Sequence, residues 1–238
     1  MKRLIKSLME RTPYRIVRDH GANRFYAIEA CLRMMKARGY APKLIIDGGA
    51  HVGSFSTAAQ SIFPGAACHL VEPQTACREA LRELCAAKGF VFHEYALAET
   101  EGRIGLTQTA EPSTGAHIAS GDEDTVSVAA ATLDGLFGSI SPDDRALLKL
   151  DLQGYELHAL RGGTTLLRSV EAILTEVSFF AQAYEPPIAA LVSFLNDNGF
   201  QLYDIATLGG RSRDSRLQQG DFVFVRTGSQ LLDDGRWE

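Results

Sequence analysis

Leu44-Ile-Ile-Asp47-Gly-Gly-Ala-His51-Val-Gly53 is the stretch on which the reading of this 238-residue chain turns. A short apolar run closes on Asp47, small residues follow, and a last glycine precedes an amphipathic segment, the pattern of a strand, a tight loop and a helix. Glycines let the backbone approach a ligand and adopt unusual dihedrals, and a helix starting near Val52 presents unpaired N–H groups and its positive end. The stretch therefore predicts a small-molecule cradle built from Asp47, Gly48, Gly49, Ala50, His51 and Gly53. About nineteen residues further on, Glu72 closes a second apolar run, His69-Leu-Val-Glu72-Pro73. A carboxylate at the tip of the neighbouring strand is placed to hold a ribose diol by paired hydrogen bonds.

Outward from this pair the pattern alternates. Strands are predicted at 43–47, 67–72, 90–96, 146–151 and 172–178, and helices at 54–62, 75–88, 154–160 and 187–198. A run of βαβ units makes a parallel sheet. The last two strands, 200–206 and 221–226, are joined by a Gly/Arg/Ser loop with no room for a good helix, so they are expected to pair as an antiparallel hairpin. The region 97–145 is less regular: short strands at 103–108 and 125–129 flank a loop at 110–124 whose length marks a functional segment. Thr132 is positioned to cap a short helix. The first forty residues read as a helical preface, with helices at 2–9 and 23–38. In the second, Ile28, Cys31, Leu32 and Met35 recur at helical spacing, and Gly39 and Pro42 stop it. This preface either packs on the sheet or forms a lid carrying Tyr14, Phe25 and Tyr26. The expected organisation is a preface at 1–42 and an α/β unit at 43–238, within one structural domain.

Composition narrows the function classes. A net charge of −5 and the lack of any basic run argue against nucleic acid as a partner. No apolar run approaches the roughly 18 residues of a membrane helix, so a cytoplasmic protein with no membrane partner is expected. Cys31, Cys68, Cys77 and Cys85 show no C-x-x-C pairing and read as reduced, buried thiols. The histidines at 51, 69, 93, 117 and 158 lack metal-ligand spacing, and no metal is assigned; an oxygen-rich magnesium site on Asp151 and Glu176 is the weaker alternative. Arg211, Arg213 and Arg216 cluster between the last strands, as an exposed hairpin tip or an anion site.

Six motifs occur in order: D-G-G-A-H-V-G at 47–53, V-E-P at 71–73, Y-A-L-A-E-T-E-G at 95–102, T-L-D at 132–134, L-D-L-Q-G-Y-E at 150–156 and I-L-T-E-V at 173–177. With them the chain resembles FkbM-type S-adenosylmethionine-dependent methyltransferases, over roughly residues 40–226. The resemblance implies a class I methyltransferase Rossmann-like α/β fold. Its seven-stranded, mostly parallel sheet has the order 3-2-1-4-5-7-6 and an antiparallel last strand. It also implies S-adenosyl-L-methionine as cofactor, S-adenosyl-L-homocysteine as product, and O-methylation of a small natural product or saccharide as activity. Asp47, Gly49, Ala50 and Gly53 match the motif at the cofactor's methionine end, where His51 stands in a position often occupied by Asn. Glu72 matches the ribose acid and Pro73 the residue after it, and Tyr95 and Ala96 match the lining of the adenine. The family pattern D-x-E-G-x-E is D-L-Q-G-Y-E here, so residue 153 cannot be a general base.

Methyl transfer from a sulfonium is an in-line displacement in which positioning of the acceptor supplies much of the catalysis, and a hydroxyl acceptor must also lose its proton. In the implied sheet order strands one and four meet at the topological switch point, which sets Asp151 across the crevice from Gly49. Asp151 is the leading candidate for acceptor-side or base chemistry, with binding of the cofactor's ammonium as its other role. Glu156 and Glu176 are further catalytic candidates; their plainer roles are a charge at a helix N-terminus and an ion pair. His117, in the long loop, is a candidate acid/base group. Two rival functions stand. G-x-A-x-x-G also suits an NAD-dependent oxidoreductase, and the departures at His51 and Gln153 suit an inactive binding or scaffold protein that keeps the fold. A homo-oligomer is compatible with all three.

Overall fold

The computed structural model describes residues 24–107, 111–113, 115–119, 125–180, 185–211 and 213–232. In chain order the elements are α1 (Arg24–Ala37), β1 (Leu44–Gly48), α2 (Ser54–Ile62), β2 (Ala67–Val71), α3 (Arg78–Lys88), β3 (Val91–His93), β4 (Ala96–Leu97), β5 (Gly102–Thr107), β6 (Thr125–Ala131), α4 (Leu133–Phe137), β7 (Ala146–Leu150), α5 (Glu156–Arg161), β8 (Val170–Ser178), α6 (Ile188–Asp197), β9 (Phe200–Gly210) and β10 (Leu217–Arg226). The helix expected at 2–9, Tyr14 and, of the 110–124 loop, residues 110, 114 and 120–124 lie outside the described residues.

The main sheet runs β3-β2-β1-β7-β8-β10-β9, which is 3-2-1-4-5-7-6 when its own strands are counted, with β10 antiparallel to both neighbours. The other neighbouring strands pair in parallel, and β1 meets β7 where the order reverses. Successive side chains on a strand face opposite ways, and here both directions are apolar, so the sheet carries a core on each face. Ile45, Leu147, Leu174 and Val223 join one core, under α1, α2 and α3; Ile46, Leu148, Ile173 and Phe224 join the other, under α4, α5 and α6. Burying a single Leu or Ile is worth about 2 kcal/mol, so these two interfaces dominate the stability. The four cysteines are buried and free. Ile28, Cys31, Leu32 and Met35 bind α1 into the first core, so its apolar stripe is spent on packing. Among the described residues no helix is long and apolar enough to cross a membrane.

Three expectations change. The strand expected at 90–96 is divided: β3 stays in the main sheet, the chain turns with the Tyr95 N–H donating to the His93 carbonyl, and β4 leaves to pair in parallel with β6. The irregular region thereby forms a second sheet, β4-β6-β5, beside the C-terminal end of the first. The final hairpin is longer than expected at both strands, with β9 and β10 in register across bulges from Phe200 to Gly210. The short helix after Thr132 forms as expected, the Thr132 hydroxyl accepting the Gly135 N–H at 2.9 Å.

Candidate active site

The glycine turn is fixed by what it touches. Gly49 has φ 71°, and a Cβ there would lie 2.0 Å from the Asp151 carbonyl oxygen, so no other residue allows β1 and β7 to end this close together. Gly53, φ 78°, opens α2 with its Cα against Leu84. His51 sits between them at φ 50°, in the left-handed region that His tolerates better than most side chains. The N–H groups of Gly49 and Ala50 donate to the Val71 carbonyl at 3.0 and 3.1 Å, and that of His51 to Glu72 Oε2 at 2.8 Å. The loop thus closes on β2 with its first donors already used.

Beneath the turn lies a lysine that the apolar reading of 146–151 concealed. Lys149 Nζ donates to the carbonyls of Gly48 (3.1 Å) and Gly49 (2.7 Å) and lies 2.9 Å from Asp47 Oδ1. Burial lowers its pKa, but Asp47 and Asp151 more than offset this and hold the ammonium protonated. Asp47 is wholly buried and also accepts the Ser56 hydroxyl at 2.7 Å. Asp47 therefore lies behind the cavity wall, where Lys149 and Ser56 hold its carboxylate. Gly48 and Gly53 likewise shape the turn from behind the cavity wall.

The cavity opens where β1 and β7 diverge, with about 1150 Å³ of space once the open solvent at its mouth is counted. Gly49, Ala50, His51, Glu72, Pro73, Tyr95, Ala96 and Asp151 all line it, as do Lys149, Leu97, Leu106 and, from the long loop, Ser113, His117 and Ile118. Glu72 is 3% exposed and held from two sides, Oε2 by the His51 N–H and Oε1 by the Gln74 N–H at 3.0 Å. Burial raises its pKa, against the pull of these donors and of Lys149. Gln74 continues the network, its Oε1 accepting the Ser113 N–H at 3.1 Å, which ties the loop to the acid. His51 Nε2 is buried on the cavity wall with no hydrogen-bond partner among the described residues.

Across the cavity, Asp151 is clamped. Its Oδ1 accepts Gln153 Nε2 at 2.8 Å and its Oδ2 accepts Arg24 Nη2 at 3.0 Å. Burial raises the Asp151 pKa, but Lys149 and Arg24 overcome it and hold the carboxyl below its ordinary value. Glu176 lies behind Asp151, outside the cavity lining, ion-paired to Arg24 at 2.9 Å, and burial with the Asp151 charge pushes its pKa well up. Glu156 also stands apart from the cavity. It is 5% exposed and accepts the Leu152 N–H at 2.7 Å, closing the turn that leads into α5. Among the described residues no group of three or more His, Cys, Asp or Glu is arranged to hold a metal ion. At the hairpin tip Arg211 and Arg216 stack on Phe180, 5.1 and 4.7 Å from its ring centre, away from this cavity.

Comparison with known families gives one match, the FkbM methyltransferase domain, over residues 47–202. The chain belongs to this family. Its FkbM segment runs from Asp47 to the first residues of β9 and so contains the turn, Glu72, Tyr95, Asp151 and Glu176. Among solved structures, the chain is similar to an FkbM methyltransferase from Methylobacillus flagellatus, with 15% identity, 76% of this chain and 43% of that one covered, and TM-score 0.49. It is similar to WbdD with 14% identity, 93% and 46% coverage, and TM-score 0.50. It is similar to a magnesium protoporphyrin IX methyltransferase from Synechocystis with bound SAM, with 15% identity, 95% and 97% coverage, and TM-score 0.48. At such identities the likeness is one of fold. The chain spans less than half the length of the Methylobacillus protein and of WbdD. No curated protein matches it.

Several polar residues of this FkbM chain were not visible to sequence reasoning. Lys149 is one. Arg24 and Asp221 are two others, at opposite ends of the described chain, with Arg24 Nε and Nη2 donating to Asp221 Oδ2 and Oδ1 at 2.7 and 2.6 Å. Gln153 uses the donor end of its amide, reaching both Asp151 and Glu176. A glutamate in its place would add a fourth carboxylate to this corner.

Proposed function

We propose that this chain is an S-adenosylmethionine-dependent methyltransferase acting on a hydroxyl of a small natural product or saccharide met in the cytoplasm. The observation that carries the reading is one cavity bearing both the fixed carboxylate of Glu72 and the unpartnered Nε2 of His51. A diol can share the free lone pairs of Glu72, and His51 Nε2 can bond the cofactor's amino-acid end. Pro73, Tyr95 and Ala96, with Leu97 and Leu106, supply a largely apolar wall for a base. The oxidoreductase alternative needs N–H groups for a pyrophosphate, and those of Gly49, Ala50 and His51 are engaged by Val71 and Glu72.

The cofactor, when bound, supplies an electrophilic methyl group on a sulfonium. The chain's own work is orientation. Asp151, ionised and fixed on both oxygens, can accept a hydrogen bond from the acceptor hydroxyl and direct its lone pair. A carboxylate held below its ordinary pKa is a weak base, so Asp151 contributes alignment and charge more than early proton removal. Calorimetric titration with S-adenosylhomocysteine, with NAD in parallel, tests the reading. Micromolar binding of the first and none of the second is expected; binding of NAD alone, or of neither, would sink it.

A further inference from the structure

We propose that Arg24 is a positioning residue for the acceptor side of the cavity: from the start of α1 its guanidinium cross-links Asp151, Glu176 and Asp221 and fixes the Asp151 carboxylate toward the acceptor. The proposal rests on the methyltransferase reading for what Asp151 faces, and on geometry for the cross-link itself.

Three carboxylates from β8, β10 and the end of β7 converge on one guanidinium, whose Nε and Nη2 take both oxygens of Asp221 at 2.7 and 2.6 Å while Nη2 also reaches Asp151 Oδ2 at 3.0 Å and Glu176 Oε2 at 2.9 Å. A planar fork can engage several carboxylate oxygens at once, which an ammonium cannot do in the same way. Asp151 Oδ1, which Arg24 does not reach, accepts Gln153 Nε2 at 2.8 Å; Glu176 Oε2 and Asp221 Oδ2, which Arg24 does reach, also accept Gln219 Nε2 at 2.9 Å and the Thr207 hydroxyl. Asp151 is thereby tied at both oxygens, which fixes its plane.

A plain structural staple would explain less. α1 is already anchored by Ile28, Cys31, Leu32 and Met35. Arg24 adds little packing; its side chain is 35% exposed and lines the cavity. It is also the cation on the acceptor side of Asp151, with Lys149 on the far side beneath the glycine turn. Glu176 and Asp221 face the same corner, and Glu156 on α5 adds to the negative charge felt there by Glu176. Without Arg24, like charges within hydrogen-bond reach drive Asp151 or Glu176 to take up a proton and turn away from one another.

The test uses Arg24→Gln and Arg24→Lys, with Asp151→Asn to assign the signal. Carboxyl titration of 13C-aspartate-labelled protein by NMR should place Asp151 below the ordinary carboxylate range in the wild type. Arg24→Gln should move it up by about 1–3 pH units. Arg24→Lys, which keeps the cation and loses the fork, should move it less, and decides the matter alone if the glutamine variant fails to fold. An unchanged Asp151 titration, with only a lower melting temperature, would overturn the proposal. Wild-type protein that does not bind S-adenosylhomocysteine would instead remove the methyltransferase reading, and the Asp151 titration would still decide the cross-link.

Discussion

Replacing Glu156 by glutamine is expected to stabilise the protein in alkaline solution and to change it little in acid. Burial is the main cause that raises this carboxyl from 4.5 to about 7, with the nearby Asp151 charge adding to it and the Leu152 and Gly154 N–H donors opposing it. The sign follows from which state holds the proton. Below about pH 4.5 folded and unfolded chains both keep it and nothing is lost; as pH climbs through about 7 the unfolded chain has already ionised while the folded one resists, so stability falls across that window and then levels. At 1.36 kcal/mol per pH unit the full effect is about 3 kcal/mol, of which about 2.5 kcal/mol accrues between pH 5 and pH 8.5. Glutamine keeps the oxygen that accepts the Leu152 N–H and has no proton to lose. In a chain of this size 2.5 kcal/mol corresponds to a melting-temperature difference of about 5–10 °C. Urea denaturation of wild type and Glu156→Gln at pH 5, 7 and 8.5 reads the difference directly. A gap between the two proteins that stays constant with pH would refute the argument that Glu156 is buried at a cost.

Three other substitutions probe the turn and the cavity. Gly49→Ala places a methyl group against the Asp151 carbonyl at a positive φ; loss of S-adenosylhomocysteine binding, or of soluble folded protein by circular dichroism, is expected, and wild-type affinity would contradict the packing described. Lys149→Met leaves Asp47 as a buried carboxylate without its cation, which costs about 3–5 kcal/mol, measurable as a shift of the denaturation midpoint at unchanged slope. Glu72→Gln should weaken S-adenosylhomocysteine by about tenfold while leaving the fold intact; an unchanged dissociation constant would remove Glu72 from the ribose.

Local pattern made much of the fold legible. Residues 54–62 are helical as read, because the glycine before them and the spacing of Phe55, Ala59 and Ile62 are local signals. The strand at 146–150 was equally plain, yet the same apolar run hid Lys149, whose partners Gly48 and Gly49 lie about a hundred residues away. The division of 90–96 had no local mark either: Ala96 and Leu97 suit the second sheet as well as the first, and their partners Ala130 and Ala131 decide. Glu72 and Asp151 follow directly on β2 and β7, and Tyr95 lies in the turn between β3 and β4, so the strand pattern was enough to set all three beside one crevice, whose wall they share. Asp47 and Glu156 were assigned to the crevice because sequence gives a residue's place along a strand or helix, while burial and the identity of its partners are settled in three dimensions.

The reversed strand β10 also bears on how the molecule comes into being. The turn, Glu72 and Tyr95 lie within about fifty residues of one another, and β7 with Lys149 and Asp151 closes on the turn about a hundred residues after it. The Arg24–Asp221 contact spans 197 positions, and closing so long a segment makes it a late, entropically demanding event. During vectorial synthesis the crevice therefore acquires its Glu72 half first. Its opposite wall waits for the final hairpin, so a nascent chain interrupted before residue 221 carries Arg24 without Asp221, the carboxylate that takes both its Nε and its Nη2.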